Sequence, residues 1–223
     1  MMYQLPLQLR NGHLFVELNS GLYLLDTGAP SSFGTTSRLS IADETFDLQN
    51  NYLGLTAATL SQSVGVRCEG LLGADILGRF DHLFDVPGGT LTFSKDELIL
   101  DGKSVDLDIF MGIPIVQVQI RGVDYRMFFD TGAQVSYLQA DCLASFPATG
   151  IVKDFYPGFG EFETETHNVG LTISTASFVL RCGKLPDLLG LTLMMANTQG
   201  IVGNQILSDR TVGYFPKRRR LVL

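Results

Sequence analysis

The chain has 223 residues, a formal net charge of −7 and an isoelectric point near 4.9. This acidic balance excludes broad binding to nucleic acid or an anionic membrane, which needs a basic excess to displace counterions. With 45% apolar and 17% charged residues, the composition also excludes a disordered chain and allows one large domain or two units of about 100 residues each.

In chain order, most segments read as short strands between turn residues, and long helical periodicity is rare, so a mainly β protein with a few short helices is expected. Residues 5–18 (LPLQLRNGHLFVEL) make two strands around Asn11-Gly12, a pair suited to a type I′ turn. Asn19-Ser20-Gly21 then turns into an apolar strand that delivers Asp26 at its end. Residues 70–80 (GLLGADILGRF) read as a buried strand end and a short helix, and residues 82–93 as a hairpin turning at Pro87-Gly88-Gly89.

The same order then recurs. Residues 113–129 form a hairpin turning near Arg121-Gly122 and deliver Asp130, residues 200–210 (GIVGNQILSDR) repeat the strand end and helix, and residues 211–223 close with a hairpin. The charged stretch 94–108 lies between the two units, which sets lobes at 1–100 and 101–223. Asp26 and Gly73 are 47 positions apart whereas Asp130 and Gly203 are 73 apart, so the second unit holds 26 additional residues. Residues 154–169 (DFYPGFGEFETETHNV) fill that space as a long hairpin: Phe162, Thr164 and Thr166 alternate with Glu161, Glu163 and Glu165 around a Gly-Phe-Gly bend. An exposed, mobile ribbon is the expectation.

Asp-Thr-Gly-Ala therefore occurs twice, at 26–29 and 130–133, each time after an apolar strand. One Asp-Thr-Gly arises by chance in on the order of one such chain in twenty, but chance does not supply the same flanks twice. With both tetrads, both strand ends and both closing hairpins, the chain resembles the aspartic peptidases of the pepsin and retroviral-protease group over roughly residues 12–223. The resemblance implies two pseudo-symmetric acid-protease-like β-barrel lobes in one chain, with Asp26 and Asp130 as the catalytic pair in the cleft between them. Gly28 and Gly132 let backbone N–H groups approach the carboxylates. Thr27 and Thr131, by the same resemblance, hydrogen-bond to the opposite loop and hold the pair in one plane.

Two carboxylates 3 to 4 Å apart at an effective dielectric near 20 repel by roughly 4 to 5 kcal/mol, so one proton is shared. Such a pair can take a proton from water while giving one to a scissile carbonyl. Ala29 and Ala133 follow the motifs, where pepsin-like relatives usually have Ser or Thr and retroviral relatives have Ala. Without that hydroxyl the pair is expected to titrate higher and to work at mildly acidic to near-neutral pH.

The first unit is too short for a substrate-covering hairpin, so a single flap from the second, around Tyr156 to Glu163, is expected, with Tyr156 and Phe159 near a peptide or unfolded-protein substrate. A non-catalytic peptide-binding or assembly module on the same fold is the alternative. Both halves lie in one chain, so a monomer suffices. No cofactor is called for. His13, His82 and His167 lack metal-ligand spacing, and no metal site is expected. Cys68, Cys142 and Cys182, an odd number at uneven spacing, imply no disulfide framework, and no leader or 18-residue apolar span is legible; a soluble cytoplasmic protein is expected. Lys217 to Arg220 read as a solvated hairpin turn.

Overall fold

Apolar runs punctuated by X-Gly pairs turn most of the chain into antiparallel hairpins. The computed structural model describes residues 1–19, 21–157, 160–185 and 190–223, without the side chain of Leu191. Strands β1 (Met2–Arg10), β2 (His13–Leu18) and β3 (Gly21–Leu25) form a meander. Asn11 and Gly12 both take positive φ, 48° and 79°, as a type I′ turn requires. After β4 (Phe33–Gly34) come two small hairpins, β5 (Arg38–Ile41) with β6 (Glu44–Asp47) and β7 (Asn51–Tyr52) with β8 (Leu55–Thr56). Helix α1 (Ala57–Val64) starts where the Thr56 hydroxyl accepts from the Thr59 N–H and ends at Gly65 in the left-handed region. Then follow β9 (Gly70–Leu72), α2 (Ala74–Leu77) and the hairpin of β10 (Asp81–Asp85) and β11 (Thr90–Ser94).

The second half begins with β12 (Ser104–Phe110), β13 (Ile113–Ile120) and β14 (Val123–Phe129), again a meander. Next are β15 (Ser136–Leu138) and α3 (Ala140–Leu143), then the long strands β16 (Ala148–Tyr156), β17 (Gly160–Ile173) and β18 (Ala176–Lys184). Helix α4 (Gly190–Met195), β19 (Gly200–Val202), a 3-10 turn at Asn204–Leu207, β20 (Thr211–Phe215) and β21 (Arg220–Val222) complete the chain.

The pairing pattern repeats between halves. β9 lies parallel to β3 and antiparallel to β4, and β19 lies parallel to β14 and antiparallel to β15. Each first strand is shared: β1 pairs with β11 through Pro6 and with β2 from Leu7, while β12 pairs with β21 through Asp106 and with β13 from Leu107. The two halves join where β10 pairs with β20, giving an antiparallel run β1-β11-β10-β20-β21-β12. The largest buried cluster crosses this joint, packing Tyr23, Phe84 and Phe93 with Phe129, Val212 and Tyr214. Two smaller clusters back the Asp-Thr-Gly loops, one around Phe15, Phe33 and Leu71, the other around Phe128, Tyr137 and Leu193. The chain is thus mainly β, with one large mixed sheet and few helices. No helix among the described residues is long and apolar enough to cross a membrane.

Two expectations change. The β16–β17 hairpin is not an exposed ribbon along its length, because β17 also pairs with β18 from Thr166 onward, and Thr164, Thr166 and His167 of β17 are buried. Within the basic run, Arg218 is not a solvated turn residue. Its guanidinium pairs with the buried Asp81 carboxylate, donates to the Leu98 carbonyl at 2.7 Å and lies 4.2 Å from the Phe215 ring centre. A buried carboxylate needs such a partner, and Asp81 finds it 137 residues away.

Candidate active site

Asp26 and Asp130 each follow directly on the last residue of a buried strand, β3 and β14. Their backbone N–H groups donate to Leu72 and Val202 at 3.0 and 2.9 Å, so each residue is pinned to the strand beneath it. The two carboxyl groups lie close enough to act on each other directly, each set against the glycine of the other loop. Glycine is required twice by this closeness: a Cβ on Gly28 would lie 2.4 Å from Asp130 Cγ, and one on Gly132 would lie 2.5 Å from Asp26 Cγ. From the sequence, each glycine is expected to serve its own neighbouring aspartate. Here each glycine also clears space for the aspartate of the other half. The local role is present too: Gly28 and Ala29 donate to Asp26 Oδ1 at 2.9 and 2.8 Å, and Gly132 and Ala133 donate to Asp130 Oδ1 at 2.8 and 3.2 Å.

Beneath the carboxyls, the fully buried Thr27 and Thr131 exchange four hydrogen bonds across the halves. Each hydroxyl accepts from the other threonine's N–H, at 3.1 and 3.0 Å. Each also donates to a carbonyl of the opposite strand, Thr27 to Phe129 at 2.7 Å and Thr131 to Leu25 at 2.9 Å. A hydroxyl is one donor and an acceptor, so both threonines use both functions and neither is left to carry chemistry.

A second repeated bond went unread in the sequence. Ser32 and Ser136, six residues after each aspartate, accept from the Gly73 and Gly203 N–H groups at 2.8 and 3.0 Å. Pro30-Ser31 against Gln134-Val135 hides that correspondence. Among the described residues, only the first serine is held further by a side chain, donating to Asp75 at 2.6 Å.

The carboxyls open into a cleft of about 270 Å³ with mostly apolar walls. Burial, the neighbouring Asp130 charge and the hydrogen bond that protonated Asp26 donates to Asp130 push Asp26 well above the usual carboxylate range. Burial raises Asp130 as well, opposed by its hydrogen bonds to Asp26, Gly132 and Ala133. The two carboxyls therefore retain a proton where free carboxylates would have lost theirs.

Tyr156 lines this cleft with Asp154, Phe155 and Pro157, all from the end of β16 and the turn after it. Burial and then the Asp130 charge push the Tyr156 hydroxyl up to about 12, so it stays a donor at any ordinary pH. Phe159 lies outside the described residues. Asp154 accepts from the Tyr137 hydroxyl and from the Phe155 N–H, which fixes its direction at the cleft wall.

The opposite lip comes from the first half, where the sequence offered no flap. Tyr52 and Leu53, from the β7–β8 hairpin, line the cleft, as does Met111 from the β12–β13 turn. Leu53 and Met111 take positive φ, 50° and 51°, each before a glycine, and are 62% and 71% exposed. Bulky residues rarely adopt that conformation, and such outliers gather at functional sites. The X-Gly pairs Leu53-Gly54 and Met111-Gly112 were the available signal, masked because Leu and Met are not turn residues.

His13 is also at the site, although sequence spacing suggested no role for it. It is buried, with Nδ1 3.0 Å from the Gly132 carbonyl oxygen. His82 and His167 stand elsewhere, bonded to the Leu77 and Phe146 carbonyls. Among the described residues, no three His, Cys, Asp or Glu side chains are grouped to hold a metal ion. All three cysteines are unpaired. No family model matches the chain, and no curated protein matches it in sequence.

Proposed function

We propose that this chain is a single-chain, bilobal aspartic endopeptidase in which Asp26 and Asp130 share one proton and activate water. The observation that carries the reading is the close carboxyl pair set in one cleft by two Asp-Thr-Gly loops, one from each half. The repeated strand pairing and the reciprocal threonine bonds support the two-lobe description.

In the reaction, the ionised carboxyl takes a proton from water as the water oxygen bonds to the scissile carbonyl carbon. The protonated carboxyl gives its proton to the carbonyl oxygen, so a neutral tetrahedral diol forms. One diol hydroxyl then gives its proton to the carboxyl that is now ionised, while the carboxyl that took the water proton passes it to the amide nitrogen; the C–N bond breaks and the pair is restored. No covalent enzyme intermediate is formed. The substrate is an extended peptide lying between the β16–β17 hairpin and the cleft floor, its side chains alternating into apolar pockets. Tyr156 on one lip and Tyr52 with Leu53 on the other border that path. A cytoplasmic setting belongs to the same proposal and is supported by the three free thiols.

The test is digestion of a denatured protein and a peptide library from pH 3 to 7.5 by the parent chain, Asp26→Asn and Asp130→Asn. Cleavage by the parent and a loss of at least about a thousandfold in either variant is expected. A parent that binds peptides without cutting them would leave a binding module instead.

A further inference from the structure

The two aspartates have matching hydrogen bonds on their cleft side, but what stands behind their loops differs. The peptide unit that donates its Gly132 N–H to Asp130 has the Thr131 carbonyl at its other end, and that oxygen accepts from Asn204 Nδ2 at 3.3 Å. The next unit donates the Ala133 N–H to Asp130, and its Gly132 carbonyl faces His13 Nδ1 at 3.0 Å. A carbonyl oxygen only accepts, so Nδ1 carries the hydrogen in that bond. Both N–H donors of Asp130 thus belong to peptide groups whose carbonyls are themselves hydrogen-bonded by a buried side chain.

The first loop has no such backing. Among the described residues, no side chain donates to the Thr27 or Gly28 carbonyl. The residue placed like Asn204 is Ala74: each follows the buried glycine and donates its N–H to the alanine of an aspartate loop, at 2.9 and 2.8 Å. The residue placed like His13 is Ile113, the first of its strand after an X-Gly turn. Neither Ala nor Ile carries a polar side chain.

We propose that His13 and Asn204 are positioning residues that make the pair unequal, so that Asp130 is the ionised partner and Asp26 holds the shared proton before substrate binds. A hydrogen bond to a carbonyl polarises its peptide group and strengthens the bond its N–H donates, most of all where solvent is excluded. His13 is 3% exposed and Asn204 5%. Asn204 Nδ2 also donates to the Gly12 carbonyl at 2.8 Å, which locks the His13 hairpin against the loop. Around His13 stand the Gly132 carbonyl, the Phe155 ring and the charges of Asp130 and Asp154. Burial lowers its basicity, so it acts near neutral pH as a neutral donor. The Asp154 charge opposes ionisation of Asp130, whereas the Asp26 hydrogen bond and the two N–H donors favour it. The assignment deepens the peptidase reading, since it makes Asp130 the group that takes the proton from water and Asp26 the group that gives one to the carbonyl.

Carboxyl 13C NMR of the full chain labelled at aspartate, titrated from acid to neutral pH and assigned with Asp26→Asn and Asp130→Asn, tests this without peptide cleavage. In the parent chain the larger part of the first ionisation step falls on the Asp130 signal. His13→Phe and Asn204→Ala raise that first midpoint by about half to one unit, while the second step stays in place because Asp130 is already charged on both sides of it. His13→Asn keeps the parent value, since its amide still reaches the Gly132 carbonyl. Asn204→Ala, which copies the first half, carries the test if His13→Phe does not fold. A first step falling mainly on Asp26, an unmoved midpoint in the folded variants, or a His13→Asn shift as large as that of His13→Phe overturns the proposal. A chain that passes here but cuts no peptide loses only the peptidase reading, and one that cuts but fails here loses only the assignment.

Discussion

The loops at 26–32 and 130–136 are alike where they face each other and different where they face away. Toward the junction the threonine bonds, the glycine clearances and the N–H donors to the carboxyls all occur in pairs. Behind, the first loop leans on Asp75 through Ser32, while the second leans on His13 and Asn204. The comparison teaches that convergence of two side chains from two halves fixes the residues at the junction. The residues one layer back are free to diverge, and that is where two equivalent carboxyls can be given unequal roles.

The junction is the place to break this comparison hardest. Thr27→Val and Thr131→Val each strip a buried threonine of two hydrogen bonds and leave an N–H and a carbonyl without partners, so each should lower unfolding free energy by about 2 to 4 kcal/mol. Chemical denaturation should find the two losses equal within error. Unequal losses would show that the junction is not symmetric in energy.

The joint between β10 and β20 comes next. His82 stacks with Phe84 and with Tyr214, with Nδ1 unpaired among the described residues and its basicity lowered by burial to about 4. The unfolded chain binds a proton below about pH 6.5 that the folded chain refuses until about pH 4, so stability falls as pH falls through that window and levels below it. The contribution reaches at most about 3 kcal/mol. Thermal unfolding between pH 7 and 4 should show this slope reduced in His82→Phe relative to the parent; equal slopes would remove His82 as the cause.

The smallest effect sharpens the difference behind the loops. Ser136→Ala leaves one N–H unpaired, whereas Ser32→Ala also strips a bond from Asp75. Ser32→Ala should therefore cost about 1 kcal/mol more than Ser136→Ala in the same denaturation assay.

Much of this architecture is legible along the chain. Asn11-Gly12 and Arg121-Gly122 turn where X-Gly chemistry demands, and the strand-Gly-short helix unit recurs at 70–77 and 200–207. Both aspartates stand out because turn chemistry alone does not repeat its flanks. Other features lie beyond local pattern. His13 meets a loop 119 residues away, and Arg218 meets a carboxylate 137 residues away, so neither partner leaves a mark in the neighbouring sequence. The Leu53 and Met111 tips are hidden for a different reason: apolar side chains occupy backbone positions where Asn or Asp would have announced a turn.

Digestion of a peptide in 18O-labelled water, followed by mass spectrometry of the first products, tests the water-activating pair most directly. The account predicts that each newly formed carboxyl terminus carries one heavy oxygen, that no peptidyl adduct accumulates on the chain, and that Asp26→Asn and Asp130→Asn yield no such product. Undiminished cleavage by either variant, or a trapped peptidyl adduct on the chain, would contradict it.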